Sequence, residues 1–180
     1  MTERRWFGLQ AGASNWLWLA VAVTALDQWT KTLVVERLAE LDRYVLLPVL
    51  ELMRLHNEGA AFSFLSNAGG WQRWLFIGLG VVVSAAILFW LRRLPAKGQA
   101  LLAAGLSLIL GGALGNVIDR VLHGYVIDFI RVHYGEHDFP AFNVADSAIV
   151  CGGILGALLA LRGIEFDGSK GSERTAADAA

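Results

Sequence analysis

The chain holds one cysteine, three prolines and four histidines in 180 residues, and only 17% of its residues are charged. A lone cysteine, Cys151, excludes an intrachain disulfide and any cysteine-based metal cluster. Set in an apolar run beside Gly152 and Gly153, it is expected to be a packed, inert thiol. The histidines form no HExxH pattern: Gly135 interrupts the pair His133 and His137, and His56 and His123 have no helical partner, so a zinc site lacks its three or four convergent ligands. Ser63, Ser66 and Ser107 have no nucleophile-elbow context, and no GxGxxG or P-loop is present. A net charge of -1 gives no basic surface for nucleic acid. Soluble domains carry about 25% charged residues, so the shortage of charge itself points away from water.

What the chain has instead is long apolar runs: 56% of its residues are hydrophobic and the mean hydropathy is +0.51. Residues 74–91 and 100–118 contain no charge, and the run from Ala141 to Leu161 contains only Asp146. Each approaches the ~20 residues that a helix needs to cross a hydrocarbon layer of roughly 30 Å, and lipid leaves no other way to satisfy the backbone. A further segment, about 16–35, is interrupted by Asp27, Gln28 and Lys31. Arg4 and Arg5 followed by Ala20-Val21-Ala22 suggest a cleavable leader, but the apolar run continues to Leu26, so a retained span is the better reading. The pattern therefore predicts a mainly α membrane protein, a four-helix transmembrane bundle with spans at about 16–35, 74–91, 100–118 and 142–161.

Charge sets the orientation. Arg4 and Arg5 precede the first span, Arg92, Arg93 and Lys97 fill the link between the second and third, and Arg162 and Lys170 follow the fourth. The positive-inside bias puts all three groups, and both termini, in the cytoplasm. Trp6, Trp16, Trp18, Trp71, Trp74 and Trp90 lie near the ends of apolar runs, where indole rings anchor at the interface. Trp29 lies deeper and is expected to face the protein. In the outer loop at about 36–70, Tyr44–Leu47, Val49–Leu55 and Phe62–Phe64 read as strands of a small extracytoplasmic sheet, with Phe62, Phe64 and Leu65 dipping into lipid. Residues 1–166 form one membrane-embedded domain in this reading, and 167–180 a disordered cytoplasmic tail. Gly111, Gly112 and Gly115, and Gly152, Gly153 and Gly156, give two spans small faces for close helix contact.

Asp27, Asp119, Asp128 and Asp146 all fall near the outer ends of the spans, and ionisable groups beside hydrocarbon are costly enough to mark function. Lys31 sits one turn from Asp27, at pairing distance. Asp119 has a structural option in a salt-bridged helix end with Arg120 and Asn116. Asp128 stands alone in the apolar segment Tyr125–Ile130 of the second outer loop, and Asp146 at the start of an apolar helix, three residues from Asn143 on the same face. Brought together, two such carboxyls share a proton, so one takes a proton from water while the other donates to a carbonyl. Helix-end and loop hydrogen bonding accounts for the same two residues without chemistry. A small transporter or proton pathway lined by Asp27, Lys31 and Asp146 is the alternative from another class.

Five ordered blocks discriminate further. They are Asp27-Gln28-Trp29-Thr30-Lys31, then Asn57-Glu58-Gly59-Ala60-Ala61-Phe62-Ser63, the run from Gly111 to Arg120, Val126-Ile127-Asp128-Phe129, and the run from Phe139 to Ser147. Together, from about Leu17 to Leu161, the chain resembles the bacterial lipoprotein signal peptidase family, also called signal peptidase II. The resemblance implies an aspartyl endopeptidase of the bacterial inner membrane that cuts prolipoproteins just before a diacylglyceryl-modified cysteine. It implies Asp128 and Asp146 as the catalytic dyad and Asp27, Lys31, Asn57, Phe62, Asn116, Asp119, Arg120 and Asn143 as supporting or substrate-binding residues. It further implies no cofactor and no metal, lipidated prolipoproteins and membrane lipids as partners, and a monomer.

Overall fold

The computed structural model describes residues 13–59, 69–95 and 98–162. A single 3-10 turn, Ala13–Trp16, leads into helix α1, Leu17–Arg37. Strands β1, Arg43–Leu47, and β2, Leu50–Asn57, follow, then helices α2, Trp71–Arg93, and α3, Ala100–Leu122. Strands β3, Val126–Tyr134, and β4, His137–Asp138, precede the last helix α4, Val144–Leu161. Among the described residues, α2, α3 and α4 are each long and apolar enough to cross a membrane. Helix α1 has a comparable length, 21 residues, but its polar residues take it below that standard.

Helix α3 is the hub, packed against α1, α2 and α4. Its glycines make this possible. A methyl group on Gly111 would lie 2.7 Å from the Ala20 carbonyl oxygen of α1, and one on Gly112 would collide with the Ala145 carbonyl of α4. Gly105 and Gly152 face each other across the α3–α4 contact, whereas Gly153 and Gly156 look onto open space and make none of the contacts expected of them. Helix α1 buries one stripe, Ala20, Val23, Asp27, Lys31 and Val34, whose three- and four-residue spacing keeps them on one face. Trp29 is on the other face and 60% exposed, so it points outward and not into the protein as expected.

The sheet is antiparallel in the order β1-β2-β3-β4. The strands expected at 44–47 and 49–55 are present; Phe62, Phe64 and Leu65 lie outside the described residues, as do Lys97 and the segment 167–180. Strand β3 replaces the loop expected around Asp128. It begins after Gly124, whose φ of 91° turns the chain sharply out of α3. Between Leu52 and Leu55 the β2–β3 register slips, with one more residue on β2 than on β3. Beyond the bulge Leu55 pairs with Asp128 and Asn57 with Val126, which sets Asn57 and Asp128 diagonally on one face of the sheet.

Candidate active site

Two carboxyl groups meet at one end of the bundle, each delivered by a local rule. Asp146 is the third residue of α4. Asn143, the N-cap, accepts from the Asp146 backbone N–H at 2.9 Å, and the Asp146 carboxylate Oδ2 accepts from the Asn143 N–H at 3.2 Å, a reciprocal capping box. Asp128 arrives on β3. The chain entering α4 adds to that strand, since Phe129 and Ile130 N–H both donate to the Phe142 carbonyl, at 3.1 and 2.8 Å. Asn143 is thereby set beside Asp128 and donates from Nδ2 to its Oδ1 at 2.8 Å. Asn57 supplies the second donor, Nδ2 to Asp128 Oδ2, at 2.9 Å. Asn143 thus touches both carboxyls.

Beneath this pair lies a buried polar layer. Lys31 Nζ reaches Asp27 Oδ2 and Asp119 Oδ2, each at 2.8 Å, and donates to Asn116 Oδ1 at 3.1 Å, so its three protons have three acceptors. Because the oxygen of Asn116 must face Lys31, its amide nitrogen faces Asp146 and donates to Oδ1 at 2.8 Å. Asp27 Oδ1 accepts from the Ala145 N–H at 2.9 Å, in the first turn of α4, and Asp119 Oδ2 from the Ile127 N–H at 3.0 Å, just before Asp128. Each carboxylate of the layer therefore grips the backbone beside one carboxyl of the pair. All three ions are almost wholly buried, and breaking such a set by removing one partner costs about 3–5 kcal/mol.

Electrostatics separates Asp128 from an ordinary carboxylate. Burial, and then the neighbouring charge of Asp146, push Asp128 up to about 7; the hydrogen bonds from Asn57 and Asn143 and the charge of Lys31 pull the other way. Near neutral pH Asp128 is therefore divided between its protonated and charged forms. The two carboxyls open onto a cleft of about 810 Å³ with a polar floor and mainly apolar walls, among them Leu55, Val126, Pro140, Phe142 and Ile149. Among the described residues no group of three or more His, Cys, Asp or Glu side chains is placed to hold a metal ion.

A cleft of this build, at the end of apolar helices, can be set against known proteins. Residues 19–162 match the family model described as signal peptidase (SPase) II. The chain belongs to the signal peptidase II family. It is a membrane peptidase, and membership removes the transporter reading. The lipoprotein signal peptidase of Acinetobacter baylyi is 54% identical over 140 residues, covering 78% of each chain. That of Xanthomonas campestris pv. campestris is 50% identical over 159 residues, 86% of this chain and 90% of the relative. A solved bacterial membrane enzyme, 31% identical, superposes with a TM-score of 0.72 over 83% of this chain and 88% of its own.

In this chain the expected residues converge: Asp27, Lys31, Asn57, Asn116, Asp119, Asp128, Asn143 and Asp146 form one connected set. Arg120 differs from expectation. It makes no pair with Asp119, because adjacent residues on a helix point about 100° apart and only those three or four apart face each other. Its guanidinium instead donates to the Gly59 carbonyl at 2.7 Å, lies over the Phe76 ring and borders the cleft. Phe62 lies outside the described residues. Cys151 is exposed and lines the cleft, against the packed thiol expected of it. Gln28 was given no role by sequence, yet its Nε2 donates to Asp119 Oδ1 at 2.8 Å and to Asp27 Oδ2 at 3.2 Å, tying the two carboxylates of the layer together. Its position next to Asp27, one turn before Lys31's neighbours, was the available signal.

Proposed function

We propose that the protein is an aspartyl endopeptidase that removes the signal peptide of prolipoproteins immediately before the diacylglyceryl-modified cysteine. The observation that carries this reading is the pair Asp128 and Asp146, joined through Asn143 and opening on one cleft. Asp146, ionised, takes a proton from a water molecule as the oxygen attacks the scissile carbonyl carbon. Asp128, protonated because burial raises it, donates to the carbonyl oxygen, and a neutral tetrahedral gem-diol results. When the C–N bond breaks, Asp146 returns its proton to the leaving nitrogen. One hydroxyl of the gem-diol returns a proton to Asp128, which restores the starting state. Asn57, Asn116 and Asn143 hold both carboxyls in place through the cycle, and Lys31 with Asp27 and Asp119 fixes the elements that carry them.

The lipid on the substrate suits a site at this level. Two acyl chains anchored in the outer leaflet fix the depth of the reacting bond, each buried CH₂ contributing roughly 0.8 kcal/mol. We place the enzyme in the inner membrane as a single domain over 1–166, with four crossings, both termini cytoplasmic and the sheet outside. Helix α1 crosses with the rest because Asp27 and Lys31 face α3 and α4, so its lipid-facing side stays apolar. Purified enzyme in detergent with a diacylglyceryl-cysteine peptide tests the mechanism. Asp128→Asn and Asp146→Asn should each lower kcat by about 10³-fold or more while thermal unfolding shows an intact fold, and a chelator should change nothing. Near-normal turnover by either variant refutes the dyad.

A further inference from the structure

The turn after β2 presents one charged side chain that the mechanism leaves unused. Asn57 ends the strand and is held twice. Its Nδ2 donates to Asp128 at 2.9 Å, and its Oδ1 accepts from the Gly59 N–H at 3.0 Å, an Asx turn around Glu58. The Gly59 carbonyl in turn accepts from Arg120 Nη2 at 2.7 Å. Glu58, exposed and bordering the cleft, therefore has an anchored residue on either side. Among the described residues no lysine, arginine or histidine forms an ion pair with it. Arg120 is almost wholly buried, its guanidinium over the Phe76 ring. His56, also on the cleft, turns its Nδ1 to Glu40 at 3.1 Å and stacks on Tyr125. The charge that a polar chain meets at this edge is negative.

The cleft has two unlike ends. Helix α4 leaves the sheet at Phe142, so Ile149, Val150 and Cys151 lie about one turn beyond Asp146 and wall the far end with apolar groups. Glu58 is at the sheet end, beside the residue that holds Asp128. A prolipoprotein is polarised in the same way, with an apolar signal segment before the scissile bond and a water-soluble chain after the modified cysteine. We infer that Glu58 is a specificity residue: its carboxylate meets a cationic side chain within about the first three residues after that cysteine, the reach of a short extended segment. Substrates with Lys or Arg there are favoured over those with Asp or Glu. A carboxylate fixed on a braced turn loses little freedom on binding, and apolar walls screen it less than open water does. The inference rests on the prolipoprotein reading above and adds to it a choice among substrates.

The experiment gives purified full-length enzyme, in detergent, diacylglyceryl-cysteine peptides that differ only in carrying Lys or Glu at one position after the cysteine. The ratio of kcat/KM for Lys over Glu should be roughly fivefold at low salt and should fall as salt rises. Glu58→Gln should lower that ratio at least about twofold, and Glu58→Lys should invert it. Each ratio is taken within one variant, so a loss of folded enzyme cancels. A ratio that is the same in wild type and Glu58→Gln, or that ignores salt, overturns the inference and leaves the dyad standing. Turnover by Asp128→Asn would sink the dyad with the charge preference still readable.

Discussion

At the scale of single residues, two asparagines temper how Asp128 titrates. Asn57 and Asn143 each donate a hydrogen bond to Asp128, which favours its charged form and offsets part of the upward push from burial and from Asp146. Removing one donor therefore raises Asp128 further above about 7. As the acid in the proposed mechanism, Asp128 must be protonated, so activity falls as pH rises through its pKa. Asn57→Ala should shift the basic limb of the kcat/KM profile upward, by about 1 unit for a lost charge-assisted bond, with a lower maximum. A limb that stays in place detaches it from Asp128. The acids and asparagines were legible because polar residues in an apolar chain need partners. Their pairing was less so: Arg120 adjoins Asp119 in sequence but points elsewhere, while the uncharged Gln28 proved to join Asp27 and Asp119. Trp29 was readable in principle. Asp27 and Lys31 had to face the protein, and a residue midway between them on a helix then faces lipid.

Among the elements, helix contacts were visible as glycines, but the faces they serve were not. Gly112 admits the first turn of α4 so closely that any Cβ meets the Ala145 carbonyl, and Ala145 is next to Asp146. Gly153 has nothing within 4 Å of an added Cβ. Both belong to small-residue runs that read alike in sequence, so the two positions make a matched comparison. Gly112→Ala should destabilise the enzyme by about 1–3 kcal/mol and cut activity, since backbone cannot yield as a side chain can. Gly153→Ala should leave both unchanged, as followed by thermal unfolding in detergent and peptide cleavage. Strand β3 escaped the sequence reading for a different reason. Its first four residues are buried on both faces, so the alternation that signals a strand was missing and Val126–Ile130 read as an apolar loop. The β-branched and aromatic content between Gly124 and Gly135 was the cue that remained.

For the whole molecule the question is whether α1 crosses the membrane with α2, α3 and α4. Hydropathy alone separates it from them, because Asp27, Gln28 and Lys31 count against it wherever they point. In the fold, Asp27 and Lys31 are almost wholly buried, and each of their charged atoms meets a partner on α1, α3 or α4, so the opposite face, which lipid would meet, is mainly apolar. The cost of insertion then follows that face and not the average, and four crossings place Asn15 and Arg93 on the side opposite the sheet. Three single-cysteine variants in a Cys151→Ser background, at Asn15, Arg93 and Glu136, all exposed positions, read this out in spheroplasts with a membrane-impermeant maleimide. Glu136→Cys should label in intact spheroplasts, and Asn15→Cys and Arg93→Cys only after permeabilisation. Labelling of Asn15→Cys from outside, with Arg93→Cys still protected, would leave α1 on the outer surface. Its buried ion pair would then have to be reached from water, and the layer that positions Asp146 would no longer lie within the bundle.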